Sequence, residues 1–420
     1  MGDRMTTSGA NAKPDGRLPA IVVGRGETGL GALRALVLAG IPAYVACPKD
    51  DLVTRSRWYR PVPGAGWDGS INAATAGLLR AMPLEGAVLV PGCDDAALWL
   101  ADLPHGDLGS RFRVSSSPRA SLEILQDKSL FGRYLGSTAI PHPRTFTISS
   151  AADVAAVPFD SLDRVFVKPA DSQAFNAAFG AKGIWADSRA GFEAIWHRLD
   201  QRGFKLIAQE YVPGTSADHY FIDGFRDANG TLTGLFARRR WRIHPADFGN
   251  SSYCESVPLQ QLGAAVGHLE TLLADLQYRG IFSAEFKRDA RDGRLCILEV
   301  NTRAWWYVEF AARCGVNVCA MAYQDAQGLP VTRSQHAPVS GAGCVRLDDD
   351  FKAVRSLGAS RSWWRAAWQW ARAHHHVFRW DDPRPAAALL WAGLRRRMTQ
   401  AFKPAVTGEV AALSRGKRAS

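Results

Sequence analysis

Residues 281–301 of this 420-residue chain read IFSAEFKRDARDGRLCILEVN, a pattern typical of two β-strands joined by a short turn. The turn is predicted at Arg291-Asp292-Gly293, with Gly293 in the left-handed conformation that closes a three-residue hairpin loop. In this register residue 290 pairs with residue 294, and one face of the hairpin is entirely apolar. That face carries Phe282, Ala284 and Phe286 on the first strand and Cys296, Leu298 and Val300 on the second.

The opposite face of the same hairpin brings two carboxylates together. The register places Glu285 opposite Glu299 and Ser283 opposite Asn301. Like charges at directly opposed positions destabilise a sheet, so we expect a positive group to neutralise this pair. Mg²⁺ typically binds one or two carboxylates together with substrate phosphates. The pattern therefore predicts a divalent cation site formed by Glu285, Glu299 and Asn301.

The alternative explanation of this face is a solvated acidic surface without a ligand. Lys287 shares the Glu285 side of the first strand, and Arg303 follows Asn301 by two residues, so both could offset part of the negative charge. We favour the cation site because a solvated face does not usually place one Asn and two Glu opposite an entirely apolar face.

Three lysines upstream of the hairpin are candidate phosphate ligands. Only ten of the 51 basic residues are Lys, and the chain otherwise uses Arg. A lysine beside a candidate site is therefore more informative here than in a lysine-rich chain. Lys128 lies on a helix predicted at about 118–136, and Lys168 ends a predicted strand. Residues 171–183, which include Lys182, are mostly small and could cover a phosphate with backbone N–H groups. Each lysine alone is more often solvated, but their order along the chain favours a phosphate site.

Near the N-terminus, Gly24-Arg25-Gly26-Glu27-Thr28-Gly29 lies between a predicted strand and a predicted helix. This is the setting in which a dinucleotide pyrophosphate binds a helix N-terminus. A nicotinamide site also needs an acid at the end of the second strand, and that strand ends Val45-Ala46-Cys47. We therefore favour a tight turn that packs the helix on the sheet over a cofactor site.

The order of strands and helices predicts an α/β protein of two domains with additional segments at both ends. The predicted divisions are a disordered leader at 1–17, an N-terminal Rossmann-like parallel α/β domain at 18–115, a second domain at 116–330 with a small lobe at about 138–213 and a large lobe at about 214–330, and a basic, mostly helical, Trp/Arg-rich C-terminal region at 331–420. The start has no apolar signal segment, and no stretch approaches the length of a membrane span.

The net charge of +11 is concentrated at one end of the chain. Residues 331–420 contain 16 Lys and Arg but 6 Asp and Glu, which leaves 35 basic and 34 acidic residues in the first 330. The main part of the chain therefore has no charge signature of a nucleic-acid-binding protein. The seven cysteines are scattered without a CxxC pair, which excludes a disulfide scaffold or zinc ribbon and fits a cytoplasmic protein.

Residues 361–372 show helical spacing of tryptophan and arginine. One face would carry Trp363, Trp364, Ala367, Trp368 and Ala371, and the other Arg361, Arg365, Gln369 and Arg372. A helix of this kind can lie in an anionic membrane surface. It can also dock its Trp face on the main body and leave its arginines in water, which is the explanation we prefer. RNA binding is less favoured, because no recognised RNA-binding module accompanies the segment.

Together these features resemble the ATP-grasp superfamily over about residues 20–330. The resemblance rests on Asp127-Lys128 with Ile140-Pro141-His142-Pro143, on Val167-Lys168-Pro169, on the hinge-like Glu210-Tyr211-Val212-Pro213-Gly214, and on Glu285 with Leu298-Glu299-Val300-Asn301-Thr302-Arg303. Within the superfamily, residues 244–256 are most similar to ATP-dependent carboligases of the group around D-aspartate ligase.

The resemblance implies an α+β ATP-grasp fold that follows the N-terminal domain. It also implies a ligase that activates a carboxylate as an acyl phosphate with Mg-ATP, joins it to an amine, and releases ADP and phosphate. The implied nucleotide-binding residues are Lys128, Lys168, Lys182, Glu210, Tyr211, Val212 and, for the ribose, Asp218. The implied ligands of Mg²⁺ or Mn²⁺ are Glu285, Glu299 and Asn301, and Arg303 and Lys287 are the implied catalytic residues.

The expected partners are a small-molecule carboxylate and an amine; a homodimer is compatible with this interpretation and nucleic acid is not expected. Three other functions stay open. The first is a carboxylase or carbamoyl-type enzyme of the same superfamily that activates bicarbonate. The second is an oxidoreductase that binds a nicotinamide at the glycine turn. The third is a membrane- or RNA-associated nucleotide-binding protein without turnover.

Overall fold

The first part of the chain forms a parallel sheet of four strands with helices packed on it. The structure is a computed structural model that describes residues 17–64, 66–162, 164–169, 183–200, 206–245, 249–332, 339–357 and 360–400. The strands are β1 (Ala20–Val23), β2 (Ala43–Ala46), β3 (Ala87–Pro91) and β4 (Phe112–Arg113), and the helices are α1 (Gly26–Leu38), α2 (Thr75–Ala81) and α3 (Asp94–Leu100). The strand order is β2-β1-β3-β4, and β1 is buried along its whole length, as expected for a parallel strand covered on both faces.

A second, antiparallel sheet of four strands lies within the predicted small lobe. It follows two helices, α4 (Arg119–Gln126) and α5 (Lys128–Gly136). Its strands are β5 (Thr145–Ile148), β6 (Val165–Pro169), β7 (Ile184–Ala186) and β8 (Leu206–Glu210), and its helices are α6 (Ala151–Ala156) and α7 (Arg189–Asp200). The strand order is β5-β8-β6-β7. Val165, Phe192 and Leu206 lie in a core that belongs to this lobe alone.

The largest sheet has seven strands and supports most of the remaining chain. Its strands are β9 (His219–Arg226), β10 (Leu232–His244), β11 (Asn250–Val257), β12 (Gly280–Arg288), β13 (Leu295–Asn301), β14 (Gly343–Val345) and β15 (His374–His375). Their order across the sheet is β13-β12-β9-β10-β11-β14-β15. The accompanying helices are α8 (Ala264–Asp275), α9 (Val308–Arg313), α10 (Val318–Ala326), α11 (Leu347–Ser356), α12 (Ser360–Arg372) and α13 (Arg384–Gln400).

The two faces of this sheet have different chemistry because side chains alternate along each strand. Ile222 of β9 and Phe282 and Ala284 of β12 lie in the apolar cluster that also contains Leu272 of α8. The intervening residues lie on the other face, where Glu285 and Asp223 share the surface with Phe225 and Ile281 of a second apolar cluster. Charged and apolar side chains therefore occupy different parts of this face.

A single apolar cluster joins the N-terminal sheet, the large sheet and the C-terminal region. Val22 of β1, Leu33 of α1, Phe236 of β10, Trp305 and Val377 all belong to it. Residues from distant parts of the chain thus share one core. The mixed α/β architecture is as predicted, whereas the domain limits at residues 115 and 330 stay predictions.

The C-terminal region also contributes strands and buried polar contacts to the main body. β14 pairs with β11 and β15 pairs with β14. Asp350 of α11 is fully buried and accepts hydrogen bonds from Arg242 (2.7 Å), Ser252 (2.7 Å) and the Trp370 indole (2.7 Å). None of the helices that the structure describes is both long and apolar enough to cross a bilayer.

Asp382 forms the second buried link, between the C-terminal region and the N-terminal domain. Its carboxylate accepts hydrogen bonds from Arg34 Nη2 (2.8 Å), Ser56 Oγ (2.8 Å) and the Arg57 backbone N–H (2.9 Å). Arg34 and Asp382 are both fully buried, and Arg34 Nη1 also lies 3.3 Å from Glu309. A buried ion pair of this kind is costly to break, because Asp382 alone would be an uncompensated charge and Arg34 alone would retain only the longer contact with Glu309.

We expect Asp382→Ala to lower the free energy of unfolding by about 3 kcal/mol, because Arg34 would lose its main buried partner. The matched control is Asp381→Ala: the side chain of Asp381 is half exposed, and its pair with Arg379 is worth at most about 1 kcal/mol. Urea denaturation of both variants measures the difference. Equal losses of stability would show that the Asp382 pair does not fasten the C-terminal region.

Candidate active site

The hairpin forms and pairs the predicted carboxylates, although it closes differently from the prediction. Glu285 pairs with Glu299 and Ser283 with Asn301, as predicted. The predicted pairing of residues 290 and 294 is wrong, because the Asp289 N–H donates to the Arg294 carbonyl and the loop contains four residues. Between Glu285 and Phe286 the pairing shifts by one residue, which compensates for the longer loop. Leu298 is the extra residue of this β-bulge.

The bulge changes which side chains face the core. Ile297 packs in the apolar cluster with Phe286, whereas Leu298 is only partly buried and is not part of that cluster. The predicted placement of Cys296 and Leu298 on the apolar face is therefore wrong. Because a bulge adds one residue to one strand only, alternation along β13 reverses on either side of it.

Glu285 is the inner of the two carboxylates and has protein partners. Its Oε1 atom lies 2.7 Å from His219 Nδ1 on β9 and 3.2 Å from Arg240 Nη2 on β10. Burial alone would raise the pKa of Glu285, but Arg240 and His219 outweigh burial and hold this pKa well below its usual range. The expectation that a bound cation must neutralise both carboxylates is thus incomplete, because Arg240 already balances one of them.

Glu299 is the outer carboxylate and is exposed. The Asn301 amide donates to its Oε1 atom at 3.3 Å, and Asn301 Oδ1 accepts from Arg303 Nη2 at 3.2 Å. Arg303 also donates through Nε to Asp94 of α3 at 3.0 Å. Arg303 therefore contacts Asn301, one of the predicted metal ligands, and is oriented by a carboxylate of the N-terminal domain.

The three predicted metal ligands offer carboxylate and amide oxygens, which suit Mg²⁺. Among the described residues, no group of three or more His, Cys, Asp and Glu side chains could hold a metal ion. A cation here would consequently use Glu285 and Glu299 with Asn301 and with oxygens of a bound substrate. Glu299 and Asn301 face the cleft, whereas Glu285 would have to share its charge with Arg240.

Two of the predicted lysines line the cleft beside Glu299. The cleft has a volume of about 250 Å³ and lies between α5, β8 and β13. Lys128 and Lys168 line it, and Lys168 Nζ donates to Gln209 Oε1 at 2.8 Å. Burial lowers the pKa of Lys168 to about 8, with Glu299 opposing this effect and Lys128 adding to it. Lys182, the third predicted lysine, lies outside the described residues.

The predicted hinge follows β8, and the Glu210 carboxylate does not face the cleft as a ligand group. It pairs with Arg144 Nε at 3.1 Å and with Arg291 Nη1 at 3.0 Å. Val212 is buried, and the Tyr211 hydroxyl donates to the Gly214 carbonyl. Recognition of a ligand through the backbone of this hinge, which the family resemblance implies, stays a prediction.

Lys287 and Asp218 lie close to this hinge. Lys287 Nζ is 4.4 Å from the centroid of the Tyr211 ring, and burial lowers the pKa of Lys287 to about 8, although Asp218 opposes the shift. Asp218 Oδ2 accepts hydrogen bonds from the backbone N–H and the hydroxyl of Thr215. Lys287 thus lies beside the hinge and within electrostatic reach of Glu285, and its predicted catalytic role stays a prediction.

His219 and Arg240 are the polar residues of this face that sequence reasoning missed. The sequence of β10 contains a signal for Arg240, because Arg238, Arg240 and Arg242 occupy alternate positions there. Arg238 pairs with buried Asp223 at 2.7 Å and Arg242 with buried Asp350. Opposite charges on neighbouring strands stabilise a sheet, so arginines within a strand favour acidic partners nearby.

The glycine turn is already filled by the protein. The Gly26 N–H donates to both carboxylate oxygens of Asp51, at 2.9 and 3.0 Å. Gly24 also approaches Gly92 so closely that an added Cβ would lie 2.9 Å from the Gly92 Cα. The preferred explanation, a tight turn that packs the helix against the sheet, fits these contacts, because a pyrophosphate would have to displace Asp51.

The helix predicted at 118–136 is two helices, and the break positions Lys128. Asp127 has an extended conformation (φ −82°, ψ 115°), and its Oδ1 accepts hydrogen bonds from the backbone N–H groups of Ser129 and Leu130. Asp127 is therefore the N-cap of α5, and Lys128 is its first residue. The sequence signal was present, because Asp is a favoured N-cap residue.

The chain has weak sequence relatives. No family model matches it. The D-aspartate ligase of Enterococcus faecium (strain Aus0004) is 21% identical over 247 residues, which cover 56% of this chain and 58% of that protein. The chain thus spans little more than half of that relative's length.

The structural similarities cover more of the chain than the sequence similarity does. The L-amino acid ligase of Bacillus licheniformis superposes with a TM-score of 0.57 at 14% identity, over 79% of this chain and 80% of that chain. The biotin carboxylase domain of Hydrogenobacter thermophilus 2-oxoglutarate carboxylase, solved with Mg-ADP, ADP and bicarbonate, superposes with a TM-score of 0.60 at 16% identity, over 77% and 73%. The chain has the ATP-grasp fold, as the sequence resemblance predicted.

We expect Asp127→Ala to destabilise the protein by about 1 kcal/mol, because two backbone N–H groups at the start of α5 would lose their acceptor. Asp127→Asn keeps an N-cap side chain and is the matched control, with a loss well below that of the alanine variant. Chemical denaturation measures both changes. An alanine variant as stable as the wild type would contradict the capping role.

Proposed function

We propose that the protein is an ATP-dependent ligase that joins a carboxylate to an amine. The observation that carries the proposal is one cleft, on an ATP-grasp fold, lined by Lys128, Lys168, Glu299 and Asn301. Two lysines and two oxygen-bearing side chains, which we propose as ligands of a divalent metal, thus line one space. The similarity to a D-aspartate ligase and to an L-amino acid ligase supports an amino acid among the substrates.

In this proposal the lysines bind the phosphates of ATP. Lys128 and Lys168 would contact the α- and β-phosphates, because both line the cleft beside Glu299. Lys182, which lies outside the described residues, is proposed as a third phosphate contact. The adenine would be bound by the backbone of Glu210, Tyr211 and Val212. We propose that Asp218 binds the ribose of the nucleotide, and that Lys287 is a second catalytic cation, since its charge is close to Glu285.

Glu285, Glu299 and Asn301 are the proposed ligands of Mg²⁺ or Mn²⁺. The cation would supply charge neutralisation for the phosphates. Arg240 and His219 hold Glu285 in place, so this carboxylate is oriented before any ligand arrives. Glu299 is exposed and turned to the cleft, and it is the ligand most accessible to a metal–nucleotide complex.

The proposed reaction has two steps, phosphoryl transfer and amide formation. A carboxylate oxygen of the substrate attacks the γ-phosphorus of ATP, and ADP leaves. The amine nitrogen then attacks the carbonyl carbon of the acyl phosphate; phosphate leaves, and the amine gives up a proton. Arg303 is the proposed stabiliser of the transferred phosphoryl group, because its guanidinium contacts Asn301 and is oriented by Asp94.

The remaining features of the proposal concern partners and compartment. All seven cysteines are free, and six of them are buried, which fits a reducing cytoplasm. The proposed partners are small molecules rather than nucleic acid. One structural relative is a dimer of biotin carboxylase domains, so we propose a homodimer here as well.

The proposal is tested by ADP release from Mg-ATP in the presence of candidate acids and amines, D-aspartate among them. We expect release to require both a carboxylate and an amine, and Glu299→Gln to lower kcat/KM by about 100-fold or more, because it removes a charged ligand. Glu123→Gln, an exposed glutamate of α4, is the matched control and should keep wild-type activity.

Two outcomes would contradict the ligase proposal. Turnover that depends on bicarbonate and not on an amine would assign the protein to the bicarbonate-activating enzymes. Thermal stabilisation by NADPH but not by Mg-ATP would return the site to the glycine turn. A ligand at a hundred times its Kd stabilises the folded state by about 2.7 kcal/mol, which a thermal melt detects readily.

A second prediction concerns pH. With a pKa of about 8, Lys168 loses its charge as the pH rises through 8, so Mg-ATP affinity should fall about tenfold between pH 7 and pH 9. Lys168→Arg keeps its charge over this range and should bind with nearly constant affinity. Calorimetric titrations at both pH values measure the effect. An equal loss of affinity in both proteins would assign the pH dependence to another group.

A further inference from the structure

Helix α12 docks on the body through one face. Ala366 is fully buried, and the partly buried Trp363 and Trp370 pack against each other and against Phe351, with ring centroids 5.2 to 6.3 Å apart. The Trp370 indole also donates to buried Asp350. These residues recur at intervals of three, four and seven, which is one side of a helix. The predicted single Trp face is therefore wrong, because the tryptophans divide between two faces.

The opposite side of α12 is apolar and exposed. Trp364 is 84% exposed and Trp368 is 62% exposed, and Ala367 and Ala371 lie exposed on the same side. We call these four residues the outer Trp face. No other part of the described chain covers them. Burying such large apolar surfaces is favourable, so a helix that presents two tryptophans outward indicates a partner.

The outer Trp face is bordered by cations. Arg365 and Arg372 are exposed, and the Arg372 guanidinium lies 4.7 Å from the Trp368 ring centroid. Arginine beside tryptophan on a surface helix is typical of helices that lie in the interfacial region of a bilayer. The tryptophan ring tolerates the boundary between apolar chains and water, and arginine meets lipid phosphates there.

A second helix repeats this pattern. In α13 the exposed side chains Leu390, Trp391 and Leu394 fall on one side at helical spacing, and Arg395 lies 5.7 Å from the Trp391 ring centroid. The buried side of α13 packs against residues 52–55 of the N-terminal domain. Two helices of the same region thus turn tryptophan and arginine outward.

The net positive charge of residues 331–420 favours an anionic partner for the outer Trp face. Residues 331–420 contain 16 basic and 6 acidic residues, and every acid that the structure describes there is in an ion pair with arginine. A second copy of this chain would bring two strongly cationic regions together, which is unfavourable. An anionic lipid surface complements both the tryptophans and the arginines.

We propose that the outer Trp face of α12 binds the surface of membranes that contain anionic lipids. The helix would lie in the plane of the surface, with Trp364 and Trp368 between the headgroups and Arg365 and Arg372 at the lipid phosphates. The protein would then act at a membrane surface without crossing it. This inference is independent of the ligase proposal, because it rests on a surface remote in sequence from the cleft residues.

The test is co-sedimentation of the full chain with vesicles of phosphatidylcholine alone or mixed with phosphatidylglycerol. We expect binding to the mixed vesicles and none to phosphatidylcholine. Trp364→Ser with Trp368→Ser should weaken binding at least tenfold, and each of Arg365→Gln and Arg372→Gln about fivefold. Raising NaCl from about 0.1 M to about 1 M, which shortens the Debye length to about 3 Å, should release the wild type.

Leu38→Ser is the matched control, because Leu38 is a 46% exposed apolar residue at the end of α1, away from this face. It should bind vesicles as the wild type does, and thermal melts should show that all variants fold. Binding that survives the double Trp change, or absence of binding to either vesicle, would overturn the proposal. So would a dimer in sedimentation velocity that the Trp change dissociates, or tail-dependent binding of RNA in place of vesicles.

Discussion

Two carboxylates that face each other across the β12–β13 hairpin set the main electrostatic constraint of this molecule. Glu285 is enclosed by the sheet, so its charge needs a partner within the protein, and Arg240 reaches it from two strands away. The Glu299 carboxylate faces the cleft. Its charge opposes the lowering of the Lys168 pKa by burial, and its Oε1 atom accepts a hydrogen bond from the Asn301 amide. The pair is thus asymmetric: one carboxylate is held by the sheet, and the other is available to a ligand.

The parts of the chain that surround the cleft depend on contacts between distant segments. Asp94 of the N-terminal domain orients Arg303, and Asp127 starts the helix on which Lys128 lies. The buried pair of Arg34 and Asp382 connects the C-terminal region to the same N-terminal domain. Residues of the N-terminal sheet domain thus orient a side chain beside the cleft, and the C-terminal region is joined to that same domain by a buried ion pair.

Much of the hairpin could be predicted, since strand alternation is a local property. The apolar side chains of β12 recur every second residue, and this spacing places Glu285 on the opposite face whatever the rest of the protein does. The pairing with Glu299 followed from the turn, although the turn itself closes with four residues. The extra loop residue shifts the register by one, and the bulge at Leu298 shifts it back, so Glu285 still pairs with Glu299. No pattern in the sequence distinguishes a four-residue loop with a bulge from a three-residue loop without one.

The sequence by itself predicted the α/β architecture and the pairing of Glu285 with Glu299, because these follow from periodicity and from chemistry at fixed spacing. Only the tertiary structure showed that Arg240 and His219 share Glu285, that Asp51 fills the glycine turn, and that α12 turns Trp364 and Trp368 outward. These contacts join residues far apart along the chain, where helical or strand periodicity carries no information. Which partner a buried charge finds, and which face of an amphipathic helix is covered, depends on how separate elements pack.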